Sequence, residues 1–141
     1  MHLDGMKIVV VGGGIGGLAA ARALALRGAE VTVFEQAEAI REVGAGLQVS
    51  PNGFRVLEAL GLGEALRAVS VRGQAVRLKD YRGGEVLRLD LGGLGSRDYH
   101  FVHRADLVDV LAAGAREAGV KIRLLQHAER VSPGARPDVT L

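Results

Sequence analysis

Glu35 and the glycines at 12, 14 and 17 are the residues whose types and spacing point to chemistry. The glycines fill the G-x-G-x-x-G positions of a dinucleotide site. Glu35 follows 23 residues beyond Gly12, where a carboxylate can accept hydrogen bonds from a ribose diol. Gly12 permits a tight turn, Gly14 lets backbone approach a pyrophosphate, and Gly17 lets the next helix lie close to the preceding strand. The free N–H groups and positive dipole end of that helix suit two phosphates. A carboxylate at position 35 repels a 2′-phosphate. That disfavours NADP at this turn and leaves NAD and the ADP half of FAD both open.

The elements that must position these residues follow from the flanking sequence. Residues 8–11 are β-branched and run directly into the glycines, predicting a strand over 6–11. A helix is predicted over 15–28, its small residues allowing close packing, and a second strand over 30–35. The stretch 36–50 reads as a loop, and Ser50-Pro51 as an N-cap and first helical residue of a helix ending near Gly61. A short helix is expected over 64–69. Two alternating segments, 75–80 and 85–90, flank Tyr81-Arg82-Gly83-Gly84 and predict a β-hairpin. A strand near 99–102, a helix over 105–118 stopped by Gly119, a parallel core strand over 120–125 and a short strand at 128–132 complete the expectation. The residues from Val131 to Leu141 read as the first half of a hairpin whose partner is absent. A plain NAD-binding domain would go on alternating strand and helix, so the inserted hairpin favours a flavoprotein.

Composition narrows the class. The 141 residues are 48% hydrophobic and 24% charged, as in a globular domain with a real core. Net charge is +2 and the basic residues are scattered, which gives no support to nucleic-acid binding. The chain has no cysteine, so it has no disulfide, thiolate metal site or cysteine nucleophile, in keeping with a cytoplasmic protein. The apolar run at 8–26 carries a glycine cluster and Arg22, which argues against a membrane span. His100 and His103 lack a third ligand nearby in sequence, so no metal site is expected, and no residue is assigned as a catalytic acid or base.

Three blocks together resemble the N-terminal part of the single-component FAD-dependent aromatic hydroxylases, particularly the salicylate hydroxylase-like branch. They are Gly12–Glu35, the run from Arg41 to Asn52 (Arg-Glu-Val-Gly-Ala-Gly-Leu-Gln-Val-Ser-Pro-Asn), and His103-Arg104-Ala105-Asp106-Leu107. The resemblance implies a Rossmann-like α/β FAD-binding βαβ unit with an inserted antiparallel hairpin, incomplete at its C-terminus. It implies a partial FAD-binding domain over 1–141, with residues 74–102 as the inserted β segment and the substrate domain absent. Cofactor contact is implied for Gly12, Gly14, Ile15, Gly17, Glu35, Gln36, Arg41, Gly46 and Arg104, and for Val131 or a neighbour against adenine. Arg41 has a solvated alternative and Arg104 a salt bridge to Asp106 or Asp109.

The implied reaction uses NADH or NADPH to reduce FAD. The reduced flavin then takes O2 to a C4a-hydroperoxide that hydroxylates a small aromatic substrate. The chain alone is expected to be inactive, because enzymes of this family are considerably longer. An NAD-dependent Rossmann reductase and a non-catalytic nucleotide-binding remnant are the alternatives. No membrane partner is expected, and exposed strand edges leave a homo-oligomer open.

Overall fold

In the computed structural model, which describes residues 2–40, 44–92, 98–134 and 137–141, the β-branched run forms β1 (Lys7–Val11). The chain divides into two compact units, Met1–Val43 with Leu107–Leu141, and Gly44–Asp106.

The first unit is built on a parallel sheet of order β1-β2-β8, where β2 is Glu30–Phe34 and β8 is Lys121–Arg123. The register pairs Lys7 with Glu30 and Val11 with Phe34, so β1 and β2 end level with each other. Central β2 buries Val31 and Val33, each such side chain contributing about 1.5–3 kcal/mol by leaving water. Helix α1 (Ile15–Ala25) connects β1 to β2 and buries Leu18 and Ala21. It ends three residues earlier than its pattern predicts because Gly28 takes a left-handed φ of +94°. Ala29 then donates to the Leu24 carbonyl, closing the helix end. Helix α4 (Arg104–Glu117) buries Leu107, Val108, Leu111, Ala112 and Ala115 in this unit. Arg22 of α1 is buried and donates to the Gly114 carbonyl and, at 3.1 Å, to Glu117 Oε2, fastening α1 to α4.

Two further expectations for this unit change. The strand expected over 120–125 is only three residues long, because Leu125 has φ +56° and turns the chain back. Leu125 N and Gln126 N then donate to the carbonyls of Ala37 and Glu35. The end of the chain is not half a hairpin: β9 (Arg130–Ser132) pairs antiparallel with β10 (Asp138–Thr140), Val131 opposite Val139.

Leu125 yields a prediction. A non-glycine residue in the left-handed region costs about 1–2 kcal/mol, and this side chain is 71% exposed, so it packs little. Leu125→Gly is expected to stabilise the protein by about 0.5 kcal/mol, after the extra unfolded-state entropy of glycine offsets part of the gain. Chemical denaturation measures it; a lower midpoint contradicts the strain argument.

The second unit contains β3 (Gly46–Val49), α2 (Pro51–Ala59), α3 (Gly63–Val69), β4 (Ser70–Arg72), β5 (Ala75–Lys79), β6 (Glu85–Asp90) and β7 (His100–His103). Strand β7 lies between β3 and β4, antiparallel to both. Ser50 stands at the N-cap of α2, although its hydroxyl bonds Asn52 instead of a helix N–H. Gly61, with φ +74°, closes the same helix. The hairpin expected between 75 and 90 is present, with Val76 opposite Leu89 and Leu78 opposite Leu87. Two strands go beyond the sequence reading: β3 falls in the stretch read as loop, and β4 follows α3 directly.

Candidate dinucleotide site

The glycine turn leaves the C-terminal end of β1 beside the last residues of β2, because the two strands are in parallel register. Gly12 has φ +100° and donates to the Phe34 carbonyl at 2.8 Å, which fixes the turn against β2. A side chain there would be strained. Gly14 is the N-cap of α1 with extended backbone, and Ile15 is the first helical residue. The orphan N–H groups of the first helical turn therefore open at the turn. At Gly17 an added Cβ would be driven into the Gly12 carbonyl oxygen, with the carbonyl carbon 3.1 Å away. The third glycine is thus the contact that lets α1 approach the turn.

Glu35 lies across this turn. Its Oε2 accepts from Gly13 N at 2.6 Å and its Oε1 from Ala37 N at 2.9 Å. The carboxylate consequently sits at the glycine turn itself, held by backbone on both sides, with acceptor capacity remaining on each oxygen. Two clefts meet at Glu35. One of about 160 Å³ is lined by Gly13, Gly14, Ala37, Ala39 and Ile40 among others, and opens at the start of α1. The other, of about 190 Å³, is lined by Gly12, Phe34, Gln36, His127 and Ala128 among others. Larger openings of about 420 and 510 Å³ flank β1, but neither reaches Glu35 or Gly13.

The structure therefore brings Gly12, Gly14, Ile15, Gly17, Glu35 and Gln36 together in the first unit. Val131 belongs to the same unit but sits on β9, 59% exposed, and lines the opening beside Val11 and Phe34 rather than either cleft at Glu35. The wall next to Glu35 is made by residues the sequence did not single out. Gln126 N donates to the Glu35 carbonyl at 2.9 Å, and His127 Nδ1 lies 3.0 Å from Gln36 Oε1. No motif marks 126–128; the left-handed Leu125 delivers them. Gly46 and Arg104 lie in the second unit, where Gly46 opposes His103 across β3 and β7. A Cβ on Gly44 would meet the Arg104 side chain at 3.2 Å, so the bare glycine allows that stem to pack against it. Arg41 lies outside the described residues.

A glycine turn at a helix N-terminus with an acid at the end of the second strand fits NAD and the ADP half of FAD equally. Comparison with known proteins decides which. Residues 5–134 match the family described as FAD binding domain. This chain belongs to that family. The FAD-binding domain is 42% identical over 123 residues to 3-amino-4-hydroxybenzoate 2-monooxygenase of Streptomyces cremeus, covering 81% of this chain and 31% of the relative. It is 41% identical over 119 residues to 3-hydroxybenzoate 6-hydroxylase of Polaromonas naphthalenivorans (strain CJ2), covering 81% and 30%. Among solved structures, the tetrameric form of 2-methyl-3-hydroxypyridine-5-carboxylic acid oxygenase superposes with a TM-score of 0.87 at 30% identity, over 96% of this chain and 35% of that one. The FAD-binding domain thus spans about a third of the length of the curated relatives it matches. The α/β Rossmann-like fold expected from the sequence and the preference for FAD over NAD both hold.

Proposed function

We propose that this chain is the FAD-binding portion of an NADH- or NADPH-dependent monooxygenase that hydroxylates a small aromatic substrate. The observation that carries the reading is the Glu35 carboxylate lying against Gly13 N at the start of α1. A nucleoside diphosphate needs a ribose acceptor and a phosphate cradle side by side, and this turn offers both. The cradle fits the group physically, since the bare Cα of Gly17 keeps α1 against the turn. In this reading Glu35 accepts the ribose hydroxyls, Gln36 flanks the nucleoside, and the N–H groups around Gly14 and Ile15 bind the pyrophosphate. Gly12 and Gly17 hold the backbone in place for them. Gly46, Arg104 and Arg41 are further FAD contacts on the family resemblance, and Val131 remains the proposed backbone contact to adenine. Flavin, when bound and reduced, supplies the oxygen chemistry: one atom of O2 goes to an electron-rich ring and the other leaves as water. The protein's part within this chain is to bind and orient.

The aromatic substrate is proposed from the relatives, whose names include hydroxybenzoate and aminohydroxybenzoate. A cytoplasmic location is proposed as well; among the described residues no helix is long and apolar enough to cross a membrane. Titration of the 141-residue protein with FAD, followed by flavin fluorescence with ADP and NADH as competitors, tests the reading. Saturable FAD binding displaced by ADP is the expected result. NADH binding without FAD binding would instead favour a reductase.

A further inference from the structure

The second unit contains a side-chain stack that includes none of the residues proposed above to contact FAD. Phe54 of α2 is fully buried, and the His100 ring of β7 stacks on it with centroids 5.0 Å apart and planes 14° from parallel. The Arg67 guanidinium of α3 lies 4.5 Å from the centroid of the same Phe54 ring. His100 is 5% exposed, and its Nδ1 lies 2.9 Å from Ser70 Oγ at the start of β4. One imidazole therefore touches α2 and β4 while belonging to the strand that pairs with both β3 and β4.

We propose that this stack is an acid-released clasp: neutral His100 fastens α2 to the β3-β7-β4 sheet, which carries Gly46 and leads into Arg104, and protonation of His100 loosens it. Protonation need not break the Ser70 contact, because Nδ1–H can donate to the hydroxyl oxygen. What it does is place a cation where water is excluded. The charged groups on the surrounding elements offer little relief. Asp98, just before β7, attracts the charge but is also 3.9 Å from Arg67. Arg67 of α3 and Arg72 of β4 repel it, while Glu58 of α2 and Glu64 of α3 are engaged by Arg67. Burial accordingly holds the imidazole's pKa below its ordinary value, the two arginines add to the lowering, and Asp98 opposes it. A lowered folded-state pKa means that the stabilisation is complete above the unfolded value of about 6.5 and is lost as pH falls through the folded value.

The test compares the 141-residue protein with His100→Phe, which keeps an aromatic ring on Phe54 and cannot titrate. His100→Gln serves as a second non-titrating variant should the first fold poorly. Thermal unfolding is measured at about pH 7.5 and about pH 5.5, on either side of the ordinary histidine range. The wild-type midpoint is expected to fall by about 3 °C more than that of the non-titrating variants, and wild-type FAD affinity to weaken more steeply in acid. The affinity readout rests on the proposed roles of Gly46 and Arg104, whereas the unfolding readout does not. Diverging midpoints with no FAD binding by any of the proteins would uphold the clasp and count against the proposed FAD-binding function, whereas diverging midpoints with a pH-independent FAD affinity would count against those two roles. Parallel midpoints, or a His100 ring that titrates by NMR at or above the ordinary value, would overturn the proposal.

Discussion

Gly17→Ala is expected to remove measurable FAD binding and to destabilise the parallel-sheet unit by about 2 kcal/mol. The new methyl would be driven into the Gly12 carbonyl oxygen, which is backbone and cannot rotate away. Relief requires α1 to lift from β1, and the N–H groups at its start would then lose their aim. Position 16 supplies a matched control one residue away. A Cβ on Gly16 meets nothing within 4 Å, so Gly16→Ala is expected to leave FAD binding intact and to stabilise α1 by up to about 1 kcal/mol. Circular-dichroism melts and FAD titrations of both variants read the two effects. Equal behaviour of the pair would remove the steric argument for the third glycine.

Glu35→Ala is expected to weaken FAD binding by about 10- to 100-fold, the loss of one hydrogen bond to a charged acceptor at about 1.5–3 kcal/mol. Gly13 and Ala37 also lose their present acceptor, so the turn becomes less well organised before the ligand arrives. The same substitution removes the repulsion toward a 2′-phosphate. 2′,5′-ADP should therefore compete better against the variant, relative to 5′-ADP, than against the wild type. An unchanged ratio of the two competitors would place the ribose away from Glu35.

The β1–α1–β2 arrangement was legible because everything that determines it lies within about thirty consecutive residues, a span typical of a βαβ motif. The β-branched run, the glycine spacing and the acid each have a local physical reason. The hairpin at 75–90 was legible for the same reason, through alternation and a glycine turn. Strands β3 and β4 were not, since each is only three or four residues long and is defined by pairing with β7, far along the chain. The wall beside Glu35 was not legible because its position depends on a left-handed leucine, a conformation that sequence alone does not suggest. For that reason Ala128, rather than Val131, lines the cleft at Glu35. The early end of α1 at Ala25 and the pairing of the last strand have the same kind of cause, a backbone choice or a partner that no local pattern announces.

On the reading proposed above, the turn from Gly12 to Ile15, with Glu35, holds the ADP half of FAD. Amide chemical shifts of the isotopically labelled protein, followed as FAD is added, test it most directly. The largest changes are expected on Gly12, Gly13, Gly14, Ile15 and Glu35, and ADP is expected to reproduce them. Changes centred instead on the openings flanking β1, at Lys7, Val9 and Lys121, with the glycine turn unmoved, would contradict it.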